Sequence, residues 1–411
     1  MQKISAEYVT IGHPDRMCDL LAAELIEKIQ DKDKKKSHAA IEVFATKDTI
    51  IFGGEATTTL KINKKLLKSI VKEIFSILGY NNEKRKKEFG KDNIPVFSKT
   101  KIINKISRQS PDIAAMTTDK HECSGYNDQG IFYGAYDSAT YTGQGYAKYL
   151  AQDFGDYLLH WSRFSPYYKQ LGSDIKIKID LETKDDYYTS KSISGITVAW
   201  ANTYTNLAEF SDYVKSLFEQ WYKERELKIN KDDIRWVING GSFFRKHGFI
   251  ADTSMTGRKL AVNNISAGPL YSQNQIGGGS MIKPWHASDL LLPLLGNQIA
   301  KLIVTAGYSK YANVVLSSSI GRHEIDNISF FGDKIFEKNK NLKEAIESYI
   351  NINYKHLSPN DIVDKWNFFD FDFSEIVKNN FISISGEGYP WEIVSKELNN
   401  FKSYIEEYIS K

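Results

Sequence analysis

Apolar positions fall into two rhythms along this chain. At helical spacing, Leu21, Leu25 and Ile29 share one face of Asp19–Gln30, with Leu20, Ala22 and Ile26 beside it. Ile62–Leu78 repeats the pattern with Leu66, Ile70, Ile74 and Ile77 and should stop at Gly79. Ala147–Trp161, Leu207–Glu224, Ala287–Gly307, Ile335–Asn353 and Ser374–Lys378 are further predicted helices. Pro293 lies inside the Ala287–Gly307 pattern and should kink it, at a cost of about 3 kcal/mol. The second rhythm is that of strands. Ala40–Phe44 and Thr49–Phe52 read as a hairpin around Lys47-Asp48. In Ser173–Leu181, Ile175, Ile177 and Ile179 alternate with Lys176 and Lys178, and Ile193–Trp200 is its predicted partner. Tyr8–Ile11, Ile234–Ile238 and Val314–Ile320 complete the predicted strands. Strand pairs and long helices recur about three times without a shared motif, which predicts α+β with mixed or antiparallel sheets.

Between these elements lie segments of other character. Asp31–Lys36 and Asn81–Asp92 are charged and read as a solvated loop and a lysine-rich tether. Ile106–Gly130 is polar and aperiodic, the character of a lid or binding loop. The length of 411 residues suits about two to three domains. Net charge is only +3 with both signs mixed, so no general affinity for nucleic acid or membrane is implied. Two cysteines, Cys18 and Cys123, exclude a disulfide scaffold and a zinc cluster. No apolar run is long enough to span a membrane, and MQKISAEYVTIGHPD lacks the apolar core of a signal peptide. A cytoplasmic enzyme is the expectation. GxxxxGK[ST], a strand–GxGxxG–helix unit, HExxH, CxxC pairs and GxSxG are all absent.

Candidate chemistry is densest from Ile238 to Asp289. Two glycine-bearing turns, Thr256-Gly257 and Gly277-Gly278-Gly279, bracket this stretch. Arg258 and Lys259 follow the first, Lys283 follows the second, and Asp252 and Asp289 flank the set. Turn N–H groups can nest an anion, lysine and arginine neutralise phosphate, and aspartate can hold the accompanying magnesium. Half of a polyphosphate site is one reading; a glycine-rich hairpin with a solvated edge is the other. His13 and Asp15 flank Pro14 at a predicted helix start, which suits an anion but suits an N-cap aspartate with a surface histidine as well. Lys176 on its half-buried strand is either solvated or a ligand contact.

Eight short motifs then occur in one order. Gly12-His13-Pro14-Asp15 resembles GHPD(K) of the S-adenosylmethionine synthetases. Gly53-Gly54-Glu55, Gln109-Ser110-Pro111-Asp112-Ile113 and Gly125-x-x-Asp128-Gln129-Gly130 resemble that family's GGE(I)TT, QSPDI and GAGDQG. Ile238-Asn239 through Asp252 to Thr256-Gly257-Arg258-Lys259, then the triple glycine, Ser319-Ile320-Gly321 and Pro390-Trp391-Glu392 resemble its remaining motifs. The chain departs from the pattern in four places. Arg16 replaces a lysine. GGGSMIK is one residue shorter than GGGAFSGK. Ala287 stands where the family has a lysine that contacts methionine and phosphate, with His286 beside it. Phe243 replaces an arginine before the adenine-stacking phenylalanine.

In that family, methionine sulfur displaces the triphosphate from C5′ of ATP, and the triphosphate is cleaved to pyrophosphate and phosphate. The thioether needs no general base; the charge on the leaving group is the difficulty, and fixed cations and Mg²⁺ answer it. The resemblance implies His13, Lys176, Arg258, Lys259 and Lys283 on the triphosphate. It implies Asp174, Asp252, Ser280 and Asp128 as further ATP contacts, with Phe244 stacked on adenine. Glu55, Gln109 and Asp252 would hold methionine, and Gln109 would begin a mobile loop, Arg108–Gln129. Asp15 and Asp289 would bind Mg²⁺, two ions per site, and Glu42 K⁺. It also implies three similar α+β domains around a pseudo-threefold axis, here 1–108, 109–232 and 233–411, and sites shared between subunits of a homodimer or dimer of dimers. A non-catalytic homologue that binds ATP, a different ATP-dependent phosphotransferase, and adenosyl transfer to a methionine analogue remain open alternatives.

Overall fold

The computed structural model describes residues 2–110, 118–119, 122–123, 125–184, 190–260 and 279–411. Its first half runs β1 (Gln2–Val9), α1 (Pro14–Asp33), β2 (His38–Thr46), β3 (Thr49–Thr57), α2 (Lys64–Ile77), α3 (Glu83–Phe89), β4 (Lys101–Arg108), β5 (Gly130–Asp137), α4 (Tyr146–Phe164), β6 (Leu171–Thr183) and β7 (Ser190–Asn202). Then come α5 (Leu207–Glu224), β8 (Arg235–Ile238), β9 (Ser254–Met255), α6 (Ser288–Thr305), β10 (Tyr311–Ser318) and β11 (Asn327–Gly332). Helices α7 (Lys334–Lys338), α8 (Lys340–Asn353), α9 (Pro359–Trp366), α10 (Phe373–Lys378) and α11 (Ser395–Ser410) close the chain.

Three sheets carry these strands. One has the order β1-β6-β7-β8 and a second β9-β2-β3-β4. Both repeat one scheme: two antiparallel pairings, then a parallel fourth strand. The third, β11-β10-β5, is antiparallel throughout. This is the α+β architecture of mixed and antiparallel sheets expected from the sequence. The sheets interleave distant parts of the chain: β1 pairs with β6, β9 with β2, and β5 with β10. Helices α1 and α2 pack against the second sheet, α4 against β1 and β6, and α6 against β5 and β10.

Several boundaries differ from the sequence expectation, each for a physical reason. Helix α1 starts at Pro14, five residues before its apolar periodicity, because His13 caps it and tertiary partners bury its polar first turns. Helix α6 matches its expected extent, running from Ser288 to Thr305 with Pro293 inside it, although Pro293 cannot donate to the carbonyl four residues back. The lysine-rich tether contains α3, capped by Asn82 and pinned by buried Arg85 and Phe89. Ile335–Asn353 is two helices, because Asn339 ends α7 and caps α8. Of the expected lid, Arg108–Gln129, residues 111–117, 120–121 and 124 lie outside the described residues.

Candidate active site

The loop before α1 lies directly on β6. A Cβ on Gly12 would fall 2.0 Å from the Ser173 carbonyl oxygen, so only glycine fits. His13 follows as N-cap, and its Nδ1 accepts the Asp15 N–H at 3.1 Å. That bond requires Nδ1 to be unprotonated and assigns the proton to Nε2. Burial, then the charge of Lys259, pushes the His13 pKa down to about 3 against the pull of Asp15. The imidazole is therefore a neutral donor at pH 7.

Asp15, 1% exposed, is the hub of this group. Its Oδ1 accepts from the Met255 N–H at 3.0 Å and its Oδ2 from Lys259 Nζ at 2.7 Å. Arg258 comes within 3.6 Å of Oδ1 and also donates to the Thr253 carbonyl. One helical turn on, Asp19 accepts from the Gly257 N–H at 2.9 Å and from Arg16 at 3.0 Å. Two aspartates on one face of α1 thus clamp the turn 255–259. Gly257 has φ +76°, and a Cβ there would sit 3.0 Å from that of Ser280, where the two glycine-bearing loops meet.

Lys176 pairs in register with Val9 and forms a half-exposed ion pair with Glu7 at 2.9 Å. Its charge reaches His13 and lowers that pKa further. Asp174, two residues earlier, is buried and accepts from the Gly248 N–H. Burial raises its pKa to about 7, with Asp252 and Asp15 adding to the effect. Phe244 is half-buried, held where its carbonyl accepts the Asn202 N–H, and Asp252 is exposed.

A second group gathers at the start of α6. Asp289, in the first turn, accepts the Gly279 N–H at 2.6 Å. Burial raises its pKa; the Gly279 N–H and Lys283 oppose, and Asp128 and Glu42 reinforce the rise. Lys283 sits 3.2 Å from Glu42, which projects from β2. Asn127 caps α6 by accepting the Ser288 N–H at 2.7 Å and so fixes Asp128 beside it. Among the described residues no hydrogen bond or ion pair joins the acids and cations of this group to those around Asp15. Glu55 and Gln109 form a third, smaller group at the ends of β3 and β4, where Gln109 accepts from the Thr57 hydroxyl at 3.4 Å.

The departures from the family pattern have structural readings. Arg16 turns inward to Asp19, the Val377 carbonyl and Asn380. His286 is buried against His38, and burial with His38 holds its pKa at about 3, so it supplies no cation in place of Ala287. Arg245 stacks on Phe243 with its guanidinium 4.8 Å from the ring centre, two residues beyond the missing arginine. Asp19 and Asn127 were not singled out from the sequence. Asp19 shares a helical face with Asp15, which was a usable signal; Asn127 had none beyond its place next to Asp128.

Fold and site together define a class: an α+β protein with an anion-ready cluster of cations and buried aspartates at a helix start. Comparison with known proteins then narrows it. Residues 2–111 match the model of the S-adenosylmethionine synthetase N-terminal domain, and residues 247–393 that of the C-terminal domain. The chain belongs to the S-adenosylmethionine synthetase family. It is 27% identical to the S-adenosylmethionine synthase of Mesoplasma florum, over 89% of this chain and 91% of that protein. It is 28% identical to that of Finegoldia magna, over 88% and 89%. The fold is similar to that of a structure described as an unusual S-adenosylmethionine synthetase from Campylobacter jejuni, with a TM-score of 0.84 over 98% of this chain and 100% of that one at 24% identity.

Proposed function

We propose that this chain makes S-adenosylmethionine from ATP and L-methionine and cleaves the displaced triphosphate to pyrophosphate and phosphate. The observation that carries the reading is the convergence of His13, Asp15, Lys176, Arg258 and Lys259 on one helix start, in a member of this family. Lys259, Arg258 and Lys176 bind the leaving triphosphate, and neutral His13 donates from Nε2. A cation placed where charge develops stabilises the transition state more than the ground state. Phe244 and Asp174 serve the adenosyl end with Asp252, Ser280 and Asp128; Glu55 and Gln109 hold methionine.

The acids fit hard cations. Mg²⁺ takes one or two carboxylates and fills its shell with phosphate and water, so Asp15 and Asp289 suffice without a three-ligand cage. Among the described residues no such cage of three or more His, Cys, Asp or Glu occurs. When bound, Mg²⁺ supplies neutralisation of the leaving charge. Glu42, half-exposed and paired through one oxygen with Lys283, is the residue for K⁺. The two unconnected groups motivate a site completed by a second copy of the chain. Phe44 and Met255, cross-strand neighbours beside Glu42, are 37% and 42% exposed and suit burial in such a dimer. No helix among the described residues is long and apolar enough to cross a membrane; the proposed setting is the cytoplasm.

The test is product analysis with ATP, L-methionine, Mg²⁺ and K⁺. S-adenosylmethionine with release of all three phosphates is expected. ATP binding without adenosyl transfer would leave a non-catalytic homologue, the reading that Ala287 favours. Product with a methionine analogue at higher kcat/KM would reassign the substrate. Light scattering reports the dimer.

A further inference from the structure

A cavity of about 510 Å³ opens between α4, the 141–144 loop and the 375–384 segment. Its volume is in the range of small-molecule sites. It shares no lining residue with the groups described above. Its wall from Tyr141 to Arg163 also lies outside both family-matched spans. Asp156 is an exposed residue of α4 that lines this space, and desolvation raises its carboxyl pKa to about 7. Tyr8 donates to one of its oxygens at 2.7 Å.

The other charges of the wall are already matched. Asp153 holds Trp221 and Arg225, and Glu375 pairs with Lys378 at 3.0 Å. Arg163, two helical turns from Asp156 on the same face, donates to the Ile77 carbonyl and has no carboxylate at ion-pair distance among the described residues. Asp156 and Arg163, which feel each other's charge without a direct ion pair, thus line a common space with Ile11, Ile77, Leu159 and Ile382. We propose that this cavity binds a free α-amino acid with an apolar side chain, its ammonium on Asp156 and its carboxylate on Arg163.

The site is wired to the Gly257 turn. Tyr8 links Asp156 to Asn380 at 3.5 Å, Asn380 accepts from Arg16 at 2.8 Å, and Arg16 donates to Asp19, which holds the Gly257 N–H. Occupancy that draws Asp156 toward a ligand ammonium pulls on this chain and shifts the turn that carries Arg258 and Lys259. This consequence rests on the proposed function; the binding claim does not.

Calorimetric titration of the full chain with L-leucine tests the site. Leucine binds, whereas N-acetyl-L-leucine and L-leucinamide, each lacking one charge, bind about tenfold more weakly or less. Asp156→Asn and Arg163→Gln lose a similar factor, and Asp156→Asn keeps an acceptor for Tyr8, so it folds. Glu55→Ala binds leucine as the parent does. No binding at millimolar leucine, unchanged binding in both cavity variants, or loss of binding in Glu55→Ala overturns the proposal. For the wiring, leucine changes turnover in the parent, and Tyr8→Phe still binds leucine but loses that change. A leucine effect that survives in Tyr8→Phe, or none in the parent, overturns it.

Discussion

Asp15 and Asp289 occupy the same place in two helices, the first turn, yet their surroundings differ. Asp15 is met by two cations and a backbone N–H, while Asp289 receives one N–H and feels two further acids. Around Asp289, burial and neighbouring acids work against the charge and favour an added cation. The first group sets two cations beside Asp15, as the proposed triphosphate contact needs; the second has Lys283 as its single basic member among the described residues, which suits the proposed cation contact at Asp289. One helix start, used twice, gives opposite chemistry because different loops are folded onto it.

The largest expected effect separates the two groups by their lysines. Lys259→Ala lowers kcat by about 10²- to 10³-fold and leaves the KM for methionine within about twofold. Lys283→Ala, already half-neutralised by Glu42, lowers kcat by only about tenfold. Steady-state kinetics of both variants decide the matter. A larger loss at Lys283 would reverse the ranking of the two groups.

How far the sequence could be read follows the same division. Helix α2 was legible because Leu66, Ile70 and Ile74 mark one face of a chain segment whose other face is polar. The start of α1 was not, because Asp15, Arg16 and Asp19 are buried by partners up to 364 residues away. Strand β5 carries glycines and polar residues that blur alternation, and it was missed. Helix α9 was missed although Ser358 and Asp361 spell a capping box. Thr256 to Lys259 is a local motif and was readable. That Asp19 and Asp15 both grip this turn is a contact across more than two hundred residues, which spacing cannot reveal.

Ala287 sharpens the contrast from the other side. It is 3% exposed and occupies the N-cap position of α6, where the helix dipole repels cations. Restoring the family's lysine by Ala287→Lys therefore crowds the cap and costs about 1–3 kcal/mol in urea unfolding. The KM for methionine stays unchanged; a tenfold fall would show that a cation is missing there. Asp289→Asn has a smaller effect, raising the half-saturating Mg²⁺ concentration about tenfold. It also stabilises the ligand-free fold at neutral pH. A carboxyl with a raised folded pKa loses stability as pH rises through that value, and the amide removes that loss. A less stable variant would contradict the assigned burial.

The smallest expected effect is the absence of one. Burial and the charges of Lys259 and Lys176 outweigh Asp15 and hold the His13 pKa at about 3. A histidine whose folded pKa is depressed binds fewer protons than the unfolded chain, so its contribution weakens as pH falls below about 6.5. Protonation of Nδ1 would also break the bond from the Asp15 N–H that begins α1. The imidazole resonances of His13 should therefore not titrate between about pH 8 and pH 5 in the ligand-free protein, as followed by NMR. A midpoint near 6.5 would mean that the cations around Asp15 do not reach His13, and the first group would then be no more complete than the second.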